Sequence, residues 1–69
     1  MYYFTQHALE KMDGLGVSKE EVIRAIVQGM KWKEQQEEKW HAQMAGFEVV
    51  FTKEENFVII TVYRSGGKP

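Results

Sequence analysis

The sequence predicts an α+β domain in which two N-terminal helices pack on one face of a curved, four-stranded antiparallel sheet. Two observations lead to this fold class, which has the element order ααββββ. Apolar residues recur at helical spacing over about the first 30 positions, and after that they alternate with polar residues. The alternating stretches are separated by short polar or glycine-containing turns, which favours a meander of neighbouring strands.

The first helix is predicted to begin after Thr5, whose hydroxyl can accept a hydrogen bond from a free amide of the first turn. Ala8 and Met12 lie one turn apart and form its apolar stripe, together with Leu9. Gly14 and Gly16 are expected to end the helix, because glycine readily adopts the positive φ of a C-terminal turn.

The second helix has a capping box, in which Ser18 and Glu21 can each accept a hydrogen bond from the other's backbone amide. Gly29 is expected near its end. Its apolar stripe consists of Val22, Ile23, Ile26, Val27 and Met30.

Four strands are predicted after this helix, the first opening at Trp32 and the others covering residues 39–44, 47–52 and 57–64. The acidic run 34–38 is interpreted as a solvated turn. Centring the later turns on Ala45-Gly46 and Glu54-Glu55 gives a consistent register. It directs nine side chains toward the helices: Trp40, Ala42, Met44, Phe47, Val49, Phe51, Val58, Ile60 and Val62.

The same register predicts the composition of the opposite sheet face. That face would carry Lys39, His41, Gln43, Glu48, Val50, Thr52, Phe57, Ile59, Thr61 and Tyr63. Four of these ten side chains, Val50, Phe57, Ile59 and Tyr63, are apolar or aromatic, which is unusual for a surface that meets only water. We therefore expect a second copy of the chain or a ligand to cover it.

The length of 69 residues allows one domain, predicted over residues 1–64 with a flexible tail at 65–69. A core this small gains from self-association, so a homodimer is expected. No cysteine is present, which excludes disulfides and cysteine-ligated metals.

Charge and hydropathy narrow the class of protein further. Nine basic and ten acidic residues give a net charge of −1, a mild argument against an obligate nucleic-acid binder. We find no signal peptide, and the longest apolar run, 57–62, is too short to span a bilayer. A cytoplasmic protein without a membrane association is expected.

His7 lies in the first turn of the first helix, with Lys11 one turn further along the same flank. The positive end of a helix disfavours a protonated imidazole, so a neutral His7 could act as a base or acceptor. The alternative, which we favour from the residues alone, is a structural histidine at the rim of the core. It would be half buried and hydrogen-bonded through one ring nitrogen.

A second set of candidates lies on the last strands. His41, Thr61, Tyr63 and Arg64 could, with His7, cleave RNA: one group would deprotonate a ribose 2′-hydroxyl, another would protonate the leaving oxygen, and a cation would stabilise the phosphorane. Tyr63 and Lys11 are further candidates for binding. No metal site or cofactor is predicted, because the two histidines lack any metal-binding spacing.

The order "FTQHALEKM", "GVSKEEV", a second helix and a Trp-, Phe- and Val-rich meander resembles the domain-of-unknown-function family 4258 over roughly residues 3–63. That resemblance implies a fold related to RelE- and barnase-type ribonuclease toxins, with any active site on the open sheet face. It would also assign a role to His7, since the family's His-Ala pair matches His7-Ala8. The sequence departs from the family at Leu15, where members often carry arginine.

Two functions follow from the sequence, and whether the protein is an enzyme stays open at this point. One is a metal-independent endoribonuclease or an RNA-binding, toxin-like protein, with RNA and a small antitoxin-like protein as partners. The other is a non-catalytic module that forms a homodimer or docks a protein partner.

Overall fold

The computed structural model of the chain describes residues 1–65 and contains two helices and five strands. The elements are β1 (Tyr2–Phe4), α1 (Gln6–Leu15), α2 (Lys19–Gln28), β2 (Met30–Lys33), β3 (Trp40–Met44), β4 (Phe47–Lys53) and β5 (Phe57–Arg64). They form one sheet in the order β1-β5-β4-β3-β2, in which β1 runs parallel to β5 and the other pairs are antiparallel. The predicted α+β class is confirmed.

The prediction of four antiparallel strands is wrong, because β1 adds a fifth, parallel strand. Tyr2 pairs with Phe57 and the two rings stack with centroids 4.9 Å apart. The Thr5 amide then donates to the Ile59 carbonyl at 3.1 Å. Three residues are too few to show an alternating pattern, and their partner lies more than 50 positions away, so no local signal marks this strand.

Both predicted helix starts are confirmed. The Thr5 hydroxyl accepts from the Ala8 amide at 3.1 Å. The Ser18 hydroxyl accepts from the Glu21 amide at 3.1 Å, and the Glu21 carboxylate accepts from the Ser18 amide at 2.8 Å. These bonds satisfy amides that have no partner within their helices.

Gly29 ends α2 at a point where β3 approaches closely. A Cβ atom at this position would lie 2.6 Å from the backbone oxygens of both Ala25 and Gln43. No real Cβ tolerates such a contact, so glycine is required here by space rather than by backbone conformation. This contact sets the distance between α2 and the sheet.

The core lies between the two helices and one face of the sheet. The predicted pairing of β3 with β4 is confirmed in full: Trp40 with Phe51, Ala42 with Val49, and Met44 with Phe47. The core cluster comprises Ala8, Met12, Val22, Ala25, Ile26, Ala42, Phe47, Val49, Phe51, Ile59 and Val62.

The predicted pairing of β4 with β5 is wrong along the whole of β5: Val49 was expected opposite Ile60 and Phe47 opposite Val62, but they pair with Val62 and Arg64. The connecting loop spans three residues, 54–56, instead of the two assumed, so Phe51 pairs with Ile59 and not with Val58. A β-bulge then adds Ile60 as an extra residue, after which Val49 pairs with Val62. As a result Ile59 and Phe57 face the helices, Val58 and Ile60 do not belong to the core cluster, and Val62 points inward as predicted.

Ser65, the residue after β5, is hydrogen-bonded to the β3–β4 hairpin. Its amide donates to the Gly46 carbonyl at 3.0 Å, and its hydroxyl accepts from the Gln43 side chain at 3.2 Å. The rest of the predicted tail, residues 66–69, lies outside the described residues. Within residues 1–65, neither helix has the length and apolar character needed to cross a bilayer.

Candidate functional site on the open sheet face

The sheet face that points away from the helices is called the open face here. The strand pairing places Trp32 of β2, His41 and Gln43 of β3, Glu48 and Val50 of β4, and Thr61 and Tyr63 of β5 on it. Side chains alternate along each strand, so the core positions Ala42, Val49 and Val62 fix the opposite orientation of their neighbours.

His41 is the centre of this face, and its side chain is held between two carboxylates. Its Nδ1 lies 2.5 Å from Glu48 Oε2 and its Nε2 lies 2.5 Å from Glu34 Oε2. A carboxylate only accepts hydrogen bonds, so both ring nitrogens donate, which requires the imidazolium form. The residue is only 8% exposed. Water is therefore largely excluded from the imidazole ring.

Tyr63 extends the arrangement by one residue. Its hydroxyl donates to Glu48 Oε2 at 2.5 Å, the same oxygen that accepts from His41. The His41 Nδ1 and the Tyr63 hydroxyl are therefore no farther apart than the sum of these two distances. Glu34, His41, Glu48 and Tyr63 are called the His41 cluster below.

The fold brings these four residues together from three strands and one loop. Glu48 and Tyr63 are direct cross-strand partners, and His41 lies diagonally from Glu48 on the neighbouring strand. Glu34 follows β2, where its amide donates to the Lys39 carbonyl at 2.9 Å and prolongs the β2–β3 ladder. That bond places its carboxylate over the His41 ring edge.

The cluster shifts the pKa of two of its members. Burial lowers the pKa of His41, but the hydrogen bonds and negative charges of Glu34 and Glu48 outweigh burial, so the pKa is raised above its usual value. Burial, the hydrogen bond to Glu48 and the two negative charges all act in the same direction on Tyr63 and raise its pKa to about 12. His41 thus holds its proton more tightly than a free imidazole does, and Tyr63 remains a neutral donor at neutral pH.

Trp32 covers the His41 ring from one side. The two ring planes are 4° from parallel with centroids 5.3 Å apart, a geometry that lets the indole stabilise a cation. Trp32 is 38% exposed. The site therefore combines a buried cation with an aromatic surface open to solvent.

Solvent reaches the two ends of the cluster but not its centre. The Glu34 side chain is 38% exposed and Tyr63 is 37% exposed. Glu34 can accept a proton from a bound molecule, and the Tyr63 hydroxyl can donate one. His41 supplies fixed positive charge between them.

Among the residues predicted for this site, the structure brings His41 and Tyr63 together through Glu48. Thr61 shares their face and is half buried opposite Val50. Arg64 is separated from them, because it pairs with Phe47 and so lies on the helix side of the sheet. There it borders a shallow depression with Leu15.

His7 and Lys11 are also on the helix side, exposed on α1. The half-buried, hydrogen-bonded position expected for His7 is wrong: within residues 1–65 its ring makes no hydrogen bond. The sheet separates both side chains from His41. A catalytic or binding role for either stays a prediction.

Glu34 and Glu48 were not predicted from the sequence as partners of His41. Glu48 was on the predicted face beside His41, and its diagonal position was a usable signal. Glu34 belongs to the acidic run interpreted as a solvated turn, and nothing in the pattern distinguishes it from its neighbours. Within residues 1–65, no group of three His, Asp or Glu side chains is placed to hold a metal ion.

Comparison with known proteins adds one match. The model of a family described as a domain of unknown function (DUF4258) covers residues 4–64. No curated protein and no solved structure matches the chain significantly.

Proposed function

We propose that this chain, which belongs to the DUF4258 family, is a metal-independent endoribonuclease whose active site is the His41 cluster on the open sheet face. The observation that supports this proposal is the chain of hydrogen bonds from Glu34 through His41 and Glu48 to Tyr63. It joins a solvent-accessible proton acceptor, a fixed cation and a solvent-accessible proton donor on one surface.

A purely structural role explains this cluster less well. Apolar side chains of similar volume often stabilise a fold as much as a buried ion pair or more, since burial costs each ion its hydration. Shifted pKa values also concentrate at functional sites. A 69-residue domain is only marginally stable, so a costly buried ion pair is unfavourable unless it has another role. The cluster also occupies the centre of the open face.

The proposed reaction is transesterification at a phosphodiester of RNA. Glu34 removes the proton of a ribose 2′-hydroxyl, and the resulting oxygen attacks the adjacent phosphorus. Tyr63 donates its proton to the departing 5′-oxygen, and the products are a 2′,3′-cyclic phosphate and a free 5′-hydroxyl. Solvent then returns the proton from Glu34 to Tyr63, so the enzyme is regenerated.

His41 contributes positive charge where the phosphorane gains negative charge. Glu48 is a positioning residue, because one of its oxygens orients both the imidazolium and the tyrosine hydroxyl. The outer surface of the Trp32 ring offers a platform on which an unpaired base can stack, the usual way in which proteins hold single-stranded RNA.

The test is cleavage of a mixed-sequence RNA oligonucleotide by purified protein in excess EDTA, with the product ends identified by mass spectrometry. Wild type is expected to produce 2′,3′-cyclic phosphate ends. Glu34→Gln and Tyr63→Phe are each expected to lower the rate by about 10²-fold or more, the usual contribution of a positioned acid or base.

His7→Ala and Arg64→Gln are the matched controls, since both side chains lie on the helix side of the sheet. They are expected to cleave at the wild-type rate. Unchanged cleavage in Glu34→Gln would refute the assignment. Loss of cleavage in His7→Ala alone would place the active site on α1 instead.

A second candidate is a non-catalytic module that dimerises through the open face. It is favoured by one observation: both His41 nitrogens are already bound, and the cluster's two carboxylates and one imidazolium leave a net negative charge where a phosphate would dock. This candidate predicts no cleavage by wild type. It also predicts a dimer mass by light scattering that reverts to a monomer in Trp32→Glu.

A further inference from the structure

The edge strand β2 offers a docking surface that does not depend on the proposed reaction. All four of its residues are exposed, and among residues 1–65 only β3 pairs with it, on one side. We propose that β2 binds an extended segment of another protein that alternates acidic and apolar side chains, and that this segment adds a sixth strand to the sheet.

The backbone of β2 has hydrogen-bonding groups free for such a strand. The bond from the Glu34 amide to the Lys39 carbonyl shows which residues of this stretch point their amides and carbonyls toward β3. In an antiparallel ladder these residues alternate with residues that point away. The amide and carbonyl groups of Lys31 and Lys33 therefore face the open edge.

The side chains along β2 present different chemistry on the two sides of the sheet. Met30 and Trp32 lie on the open face, and Met30 is 70% exposed. Lys31 and Lys33 lie on the helix side, where the Lys31 ammonium lies 3.4 Å from the carbonyl of Val27, a residue that is 60% exposed. An added strand would thus meet apolar surface on one face and two cations on the other.

These cations are available to an acidic partner. The Lys33 ammonium pairs with Glu38 at 3.4 Å, but both side chains are largely exposed, so the pair is weak and exchangeable. The Lys31 ammonium donates to the Gly29 carbonyl at 3.0 Å beyond the end of α2, which fixes its position beside the strand. No carboxylate among residues 1–65 forms an ion pair with it.

The same lysines argue against a second copy of this chain at the edge. An antiparallel pair of β2 strands must match outward-facing residues with outward-facing residues. Each two-fold arrangement within β2 then sets lysine opposite lysine: Lys31 against Lys33, or either residue against itself. Like charges directly opposite destabilise a strand pair, whereas glutamates there would stabilise it.

The test uses two capped synthetic peptides, one alternating glutamate with valine and the other alternating lysine with valine, titrated into the ¹⁵N-labelled full chain. The acidic peptide is expected to shift the amide signals of residues 30–33 and to bind about tenfold more tightly than the basic one, as expected for two cross-strand charge pairs. Equal responses to both peptides, or no response in β2, would overturn the proposal.

Two variants distinguish the contribution of the backbone hydrogen bonds to binding from the contribution of the lysine charge. Lys33→Pro removes an amide that faces the edge, where proline is tolerated, and is expected to lower the affinity about tenfold or more. Lys33→Gln keeps the amide and is expected to reduce only the preference for the acidic peptide. Wild-type affinity in Lys33→Pro would contradict strand addition.

Two controls complete the experiment. An N-methylated acidic peptide blocks the same hydrogen bonds from the ligand's side, so the test does not depend on the folding of Lys33→Pro. It is expected not to bind. A mass that doubles with concentration in the absence of peptide, and that Lys33→Pro returns to a monomer, would assign the edge to a second copy and refute the acidic partner.

Discussion

The bulged register of β5 makes a quantitative prediction for two neighbouring isoleucines. Ile59 is fully buried in the core, whereas Ile60 is the extra residue of the bulge and only half buried. Ile59→Ala removes three carbons from a dry site, which costs about 2.4 kcal/mol at ~0.8 kcal/mol per methylene before any cavity forms. With the cavity included, the expected loss of unfolding free energy is about 3–4 kcal/mol.

Ile60→Ala is the matched control, because it makes the same chemical change one residue away. With about half of the transfer energy and no enclosed cavity, it is expected to cost about 1 kcal/mol. Urea denaturation followed by tryptophan fluorescence measures both. If Ile59→Ala fails to fold, Ile59→Val is expected to cost about 0.5–1.5 kcal/mol and Ile60→Val less. A larger loss at Ile60 than at Ile59 would refute the bulged register.

Two further predictions concern the His41 cluster and the α2–β3 contact. Because the pKa of His41 is raised on folding, its stabilising contribution is complete below about pH 6.5 and is lost as the pH rises through the folded-state value. Urea titrations at stepped pH should show this decline in wild type and in His7→Gln but not in His41→Gln. The same slope in His41→Gln would contradict the raised pKa of His41. Gly29→Ala is expected to lose about 1–3 kcal/mol, since its Cβ would meet two backbone oxygens at 2.6 Å. Gly14→Ala, whose Cβ meets nothing within 4 Å, is expected to be neutral or stabilising in thermal denaturation, and equal effects of the two would contradict the close approach.

Local signals predicted the parts of the fold that local interactions determine. The Thr5 and Ser18 caps depend on residues within three positions, and the β3–β4 register follows from a two-residue turn in which Ala45 and Gly46 both have positive φ. The β1–β5 pairing and the bulge at Ile60 depend on distant contacts and on a loop one residue longer than assumed. Hydrophobic periodicity predicts neither the β1–β5 pairing nor the bulge.

The residues of the candidate site also fall into those that strand alternation predicted and those that it did not. Strand alternation placed His41 and Tyr63 on one face, and the register of β3 with β4 would also have placed Glu48 within reach. Trp32 was predicted to open a strand, and it lies on the open face because it pairs with His41. Glu34 comes from a loop, where no repeating pattern relates sequence position to direction in space.

The proposed RNA site on the open face is tested most directly by mapping where RNA binds. A fully 2′-O-methylated RNA oligonucleotide lacks the attacking hydroxyl, so it can be titrated into the ¹⁵N-labelled protein without cleavage. We expect the Trp32 indole signal and the Glu34 and Tyr63 amide signals to shift, and the His7 and Lys11 amide signals to stay unchanged. Shifts confined to α1, or none at millimolar RNA, would contradict an RNA site on the open face.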